Sequence, residues 1–407
     1  MQFKLRELPA IFAALVFIGC GLAFTASAQA PEEEWSRTIG DSSSDESGAS
    51  VQQTSDGGYI ITGSTQSYGP SDVFLIKTDA DGNTQWVKTF DGSFDDSSRG
   101  AGGASVQQTS DGGYIITGST SSNRGEVLLI KTDADGNTQW VKTFGGSFDD
   151  SSRRAGGASV QQTSDGGYII TGFISSNGGD VLLIKTDADG KQQWVKTFGR
   201  SETFAGSARD EGQSVQQTSD GGYIITGSTS SNRGEVLLIK TDADGKQQWV
   251  KTFGDSSSDD YSFSYYSGAS VQQTSDGGYI ITGSTSSNDV LLIKTDGDGN
   301  KQWDKAFGDS SDDSGASVQQ TSDGGYIITG STEPYRSSSD LWLIKTDVDG
   351  NTQWDKTFGG SSDDSGASVQ QTSDGGYIIT GSTNSYGAYG AAQSDIWLIK
   401  IDADGNE

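Results

Sequence analysis

One string, V-Q-Q-T-S-D-G-G-Y-I-I-T-G, occurs seven times along this chain, beginning at Val51, Val106, Val160, Val215, Val271, Val318 and Val369. Successive copies stand 47 to 56 residues apart. A fixed period in that range marks repeated supersecondary units, and it is too long for the coils of a β-helix. Each copy is followed by L-I-K and then D-x-D-G. In six of the seven, Q-W-x-K-x-F comes next, with tryptophans at Trp86, Trp140, Trp194, Trp249, Trp303 and Trp354.

Each unit reads as four short strands. S-V-Q-Q-T is the first, and the D-G-G turn reverses it into Y-I-I-T-G-S, because glycine reaches positive φ without steric cost. The third strand, for example Val127-Leu128-Leu129-Ile130-Lys131, is apolar at successive rather than alternate positions, which suits a strand covered on both faces. A second turn, D-x-D-G, leads into T-Q-W-V-K-T-F. Four antiparallel strands per unit and seven units predict an all-β, seven-bladed β-propeller. Its repeats start near residues 48, 103, 157, 212, 268, 315 and 366 within a propeller domain spanning 29–407. The seventh unit stops at Asp404-Gly405-Asn406-Glu407, short of its tryptophan, while Trp35 opens a fourth-strand sequence with no unit before it. Residues 35–40 are therefore expected to complete the last blade and close the ring, which removes open sheet edges.

Composition limits the chemistry. The formal charge is −28, and Leu, Ile, Val and Phe make up about a fifth of 407 residues, a combination that outside a repeat architecture would suggest disorder. The acidic field disfavours nucleic acid and anionic lipid as partners. The chain contains no histidine and a single cysteine, Cys20. Histidine-dependent nucleophile pairs, His-ligated zinc and an intramolecular disulfide are therefore excluded. Residues 1–28 have the charged, apolar and small-residue segments of a signal peptide, ending at Ala26-Ser27-Ala28. A secreted or periplasmic protein, acting as a monomer, is the expectation. Phe17-Ile18-Gly19-Cys20 resembles a bacterial lipobox, so lipid anchoring through Cys20 is the alternative.

The tryptophan segment K-T-D-A-D-G-N-T-Q-W resembles the docking repeat of quinoprotein-type (PQQ-like) propellers, with Gly82 and Trp86 at that repeat's spacing. The resemblance implies that Trp35, Trp86, Trp140, Trp194, Trp249, Trp303 and Trp354 brace adjacent blades. It also raises a quinone-dependent dehydrogenase, for which the adjacent cysteines often found beside the quinone are missing from this sequence.

Segment lengths separate two ends of the ring. The V-Q-Q-T to I-I-T-G segment is 12 residues from Val to Gly in every unit, whereas 10 to 18 residues separate that Gly from the Ile of L-I-K. Trp to the next Val spans 15 to 22. The two variable connections share one face, and they carry Tyr261, Phe263, Tyr265, Tyr266, Tyr335, Arg336, Tyr386, Tyr389, Arg153 and Arg154. Aromatic and arginine side chains on loops are typical of recognition surfaces. These residues are the candidate ligand-binding set, and the expected function is a non-catalytic scaffold for a protein or extracellular polymer. Carbohydrate binding is the alternative, or glycoside hydrolysis by two carboxyls roughly 5 to 9.5 Å apart. The D-x-D-G turns, with Asp79, Asp81, Asp133 and Asp135, read first as hairpins and second as weak calcium candidates; no other cofactor is expected. The Gln pairs at Gln52 and Gln53 and their equivalents are expected to line a solvated channel.

Overall fold

The computed structural model describes residues 33–40, 44–67, 72–90, 102–120, 125–145, 155–175, 179–199, 209–229, 235–254, 267–308, 312–333, 338–386 and 393–402. Residues 1–28, expected to form a signal peptide, and Cys20 among them lie outside the described residues. Among the described residues every regular element is a strand. The first five are β1 (Glu33–Ile39), β2 (Ser44–Gln53), β3 (Tyr59–Ser67), β4 (Asp72–Thr78) and β5 (Thr84–Phe90). Strands β2 to β5 form the first antiparallel blade in sequence order, and five further blades repeat that order. The seventh sheet contains strands Asp364–Gln371, Tyr377–Thr383 and Asp395–Ile401 and takes β1 as its fourth strand. Trp35 pairs with Lys400 and Ile39 with Ile396 across that junction. The protein is a seven-bladed β-propeller closed by its own N-terminal strand.

The successive apolar residues are explained by the stacking of blades. In Y-I-I, Ile60 joins a core layer with Val106, Tyr114 and Ile116 of the second blade. Its neighbour Ile61 joins Ile378, Ile396 and Leu398 of the seventh. Adjacent residues of one strand therefore serve opposite interfaces, and the core is a ring of seven such layers. Both turns share one construction. In the first, Gly57 N donates to Thr54 O at 2.9 Å and Thr54 N to Gly58 O at 2.8 Å. In the second, Gly82 N donates to Asp79 O at 3.2 Å and Asp79 N to Asn83 O at 2.9 Å. Gly57 and Gly82 have φ of 86° and 77°, so each is a three-residue hairpin loop closed by a left-handed glycine.

The fourth-strand tryptophans reach across blade boundaries. Trp35 meets Tyr59, Trp86 meets Tyr114 and Trp354 meets Tyr377, with ring centroids 5.9 to 6.1 Å apart and steep interplanar angles. The same contact recurs at the four remaining boundaries. Each indole from Trp35 to Trp303 also covers the glycine of the next blade's D-x-D-G turn: a Cβ on Gly245 would stand 2.7 Å from Trp194. Gly221, also at positive φ, has nothing within 4 Å of a built Cβ. Gly221→Ala therefore carries the backbone cost alone, about 1 kcal/mol. Gly245→Ala adds displacement of the indole and is expected to cost at least twice that in urea unfolding. Equal costs would show that tryptophan docking contributes nothing to blade cohesion.

Candidate functional site

At the uniform end, the repeated polar groups hold the ring together. The innermost strands diverge around the axis and cannot pair with one another, so the N–H groups along their free edges need acceptors. Side chains of the neighbouring blades supply them. Val106 N donates to Ser50 Oγ at 3.3 Å and Gln108 N to Gln52 Oε1 at 2.6 Å. In return Gln108 Oε1 accepts from Ser55 N at 2.8 Å. Both glutamine bonds recur at all seven boundaries, including Gln53 N to Gln370 Oε1 and Ser373 N to Gln53 Oε1 between the first and last blades.

The two glutamines do not share one environment. Gln52 and its equivalents, with Val51 and its equivalents, line a central channel of about 230 Å³. Gln53 instead reaches back to its own turn, where its Nε2 donates to Gly57 O at 3.5 Å.

Beside this ladder lies a group that the strand pattern did not single out. Lys77 closes the third strand and is buried, with 4 % of its side chain exposed. Its Nζ donates to Thr78 O at 2.7 Å and meets Asp56 of the D-G-G turn at 2.9 Å. Lys131–Asp111, Lys185–Asp165, Lys240–Asp220, Lys294–Asp276, Lys345–Asp323 and Lys400–Asp374 repeat the pair in the other blades. The second glycine of D-G-G makes room for it, since a Cβ on Gly58 would stand 2.1 Å from Thr78 O and 2.6 Å from Lys77 Nζ. The useful signal in the sequence was the lysine that ends every L-I-K, charged yet fixed in seven copies.

Partial burial raises the affinity of Asp56 for a proton, but hydrogen bonds from Thr54, Lys77 and Gly58 and the lysine charge together outweigh it and hold the carboxyl at about 2. Asp111, Asp165, Asp220 and Asp276 are likewise held at about 2, and Asp323 and Asp374 move in the same direction. A depressed carboxyl stabilises the fold above its unfolded value near 4 and loses that contribution as pH falls toward 2. Stability measured by urea unfolding should therefore be insensitive to these turns above about pH 5 and decline steeply below about pH 4. An unchanged stability down to about pH 2.5 would remove the lysine pairs as a source of it.

The two partners of a pair are also unequal. Asp111→Ala leaves the buried Lys131 without its counter-charge and is expected to cost about 3 kcal/mol, whereas Lys131→Met leaves only a largely exposed aspartate and costs less than about 1.5. The reverse order in equilibrium unfolding would overturn the assignment of lysine as the buried charge.

The D-x-D-G turns have their own occupation. Asp79 Oδ1 accepts from Asp81 N at 3.0 Å and Asn83 N at 2.8 Å, and its Oδ2 accepts from Asn83 Nδ2 at 3.0 Å. Asp133 makes the same three bonds with Asp135 and Asn137. In the six turns that are described throughout, the first carboxylate is thus engaged by the turn itself, while Asp81 and Asp135 are exposed. Among the described residues no group of three His, Cys, Asp or Glu side chains is arranged to hold a metal.

Of the variable-loop candidates, Tyr386 lies within the described residues. It is half exposed at the sixth-to-seventh boundary, with its hydroxyl donating to Gly359 O at 2.5 Å and its ring 5.3 Å from Trp397. Tyr261, Phe263, Tyr265, Tyr266, Tyr335, Arg336, Tyr389, Arg153 and Arg154 lie outside the described residues.

No protein-family model and no curated protein sequence matches the chain. Solved structures do resemble it. A catalytically inactive histidine-to-alanine form of virginiamycin B lyase from Staphylococcus aureus, in complex with quinupristin, is 12 % identical and superposes with a TM-score of 0.52, covering 90 % of this chain and 99 % of that one. A protein of unknown function from Dyadobacter fermentans gives 11 %, 0.53, 91 % and 99 %. A polysaccharide lyase of family PL25, an ulvan lyase bound to a sulfated rhamnose-containing glycan, gives 10 %, 0.55, 90 % and 96 %. At these identities the likeness is one of fold. No helix among the described residues is long and apolar enough to cross a membrane.

Proposed function

We propose that this chain is an exported, non-catalytic propeller that binds a protein or an extracellular polymer through its variable face. One observation carries the reading. At the uniform end, the glutamines are engaged in holding blades together, and the strand-three lysines and the first carboxylate of six D-x-D-G turns in bracing the turns within each blade. Side chains that differ from blade to blade are concentrated in the variable connections, and Tyr386 presents a half-exposed ring there. Rigid scaffolds commonly bear function on such loops.

Enzymatic readings have less support. In the virginiamycin lyase structure the inactive form carries a histidine replacement, and this chain contains no histidine to take such a role. We read the PQQ-like character of the tryptophan repeat as architectural: its indoles are consumed in docking blades. A carbohydrate polymer is the alternative ligand, favoured by the half-exposed ring of Tyr386.

The test is binding by the mature chain to extracellular proteins and to an array of extracellular glycans. It is repeated for Tyr386→Ala and for a variant with serine at Tyr261, Phe263, Tyr265 and Tyr266. Loss of a ligand held by the parent, with unchanged circular dichroism, is expected. Retention of every ligand by both variants would place binding elsewhere, and turnover of any glycan would overturn the non-catalytic reading.

A further inference from the structure

One position sets the boundary between the fourth and fifth blades apart. The second residue of D-x-D-G is Ala80, Ala134, Ala188, Ala243 or Ala403 in five blades and Val348 in the sixth, but in the fifth blade it is Gly297. The backbone of Gly297 lies outside the left-handed region, so the turn does not require glycine there. What glycine removes is a methyl group, whose carbon would stand 3.2 Å from Gly277 O in the D-G-G turn of the same blade.

Beside these two turns, at the uniform end, runs a groove of about 650 Å³ lined by Trp249, Tyr279, Gln273, Asp220 and Asp298. That volume is within the roughly 300–1,000 Å³ of small-molecule sites. Two lining groups have unused hydrogen-bonding capacity. In the preceding blade Gln217 Nε2 donates to Gly221 O at 3.4 Å. Its counterpart Gln273 accepts through Oε1 from Ser219 N at 2.8 Å, while its Nε2 makes no bond among the described residues. The hydroxyl of Tyr279 makes none either, although this residue is only 2 % exposed. Burial and the charges of Asp220 and Asp298 push that hydroxyl up to about 12, so at neutral pH it keeps its proton to donate. At the next boundary, where Val348 replaces the glycine, the equivalent hydroxyl of Tyr326 is sealed from solvent. Buried polar groups without partners carry a cost that an occupant of the groove relieves.

The lining sets Lys240 and Lys246 against Asp220, Asp242 and Asp298, close to balance in a chain of formal charge −28. Such a groove selects neither cations nor anions strongly. It offers a hydroxyl and an amide as donors, the largely exposed carboxylate of Asp220 as acceptor, and the partly exposed indole of Trp249 as an apolar wall. We propose that this groove binds a neutral pyranose unit, at the opposite end of the ring from the recognition loops. A pyranose presents several hydroxyls on a rigid ring, which limits the ordering cost of binding, and its C–H face suits an aromatic wall. The third-to-fourth boundary supplies a control: Trp194, Tyr223, Gln217, Asp165 and Asp244 occupy the same positions there, with Ala243 in place of Gly297.

The experiment titrates the full mature chain with the methyl glycosides of glucose, galactose, mannose and N-acetylglucosamine, with glucuronate and glucosamine as charged controls. Binding is followed by calorimetry and tryptophan fluorescence. One neutral glycoside bound per chain is expected. Gly297→Ala, which installs the residue found in five other blades, and Tyr279→Phe should each weaken it about tenfold or more. Ala243→Gly should open a second site and raise the count to two, a gain that a misfolded chain could not imitate. Three results would overturn the proposal: no neutral glycoside held by the parent chain, binding of the charged sugars alone, or binding unchanged by Gly297→Ala. A glycoside lost on Tyr386→Ala and retained on Gly297→Ala would belong to the variable face, which removes this site and supports the loops. Failure here leaves the partner-binding reading untouched, since that reading rests on the other end of the ring.

Discussion

The hydrogen-bond ladder between innermost strands is the constraint on which the rest of this molecule depends. Seven strands arranged around an axis cannot share backbone bonds, so their free edges would leave orphaned N–H groups beside the channel. Ser50 and Gln52 provide acceptors for one neighbour while Gln108 reciprocates toward Ser55. Each boundary carries bonds in both directions, and the exchange becomes complete when the ring closes through Gln370, Gln53 and Ser373. Replacing the first serine or either glutamine of S-V-Q-Q-T would remove an acceptor from the backbone of a neighbouring blade, which gives a physical reason for their recurrence in all seven copies.

The architecture was legible in the sequence because it depends on quantities that sequence records directly. The repeat period gave the blade count, and the orphan tryptophan at position 35 gave the closing strand. What escaped were contacts between residues about 50 positions apart. Strand alternation shows which side a glutamine leaves from, but not that its amide reaches the next blade's backbone. Lys77 read as the polar end of an apolar strand, and its burial follows only once the D-G-G turn folds Asp56 over it. The acids five residues before the Val of V-Q-Q, at Glu46, Asp210, Asp313 and Asp364, were hidden for another reason. They sit in Ser- and Asp-rich links of unequal length, where one aspartate looks like another until strand register places Asp210, Asp313 and Asp364 at one structural position. Of the variable-face aromatics, Tyr386 lies among the described residues, bonded to Gly359 and in a tilted contact with Trp397.

The acidic excess also acquires a distribution. At the uniform end the D-G-G aspartates face seven lysines, so those charges compensate each other locally. At the variable end the links gather further acids, among them Asp210, Asp340 and Asp364. Asp364 lies directly beneath Ser385, whose neighbour Tyr386 is the described member of the proposed recognition surface. The two ends of the ring therefore carry their charge differently: one sets a lysine against an aspartate in every repeat, while the other gathers acids in the links where the loops differ most.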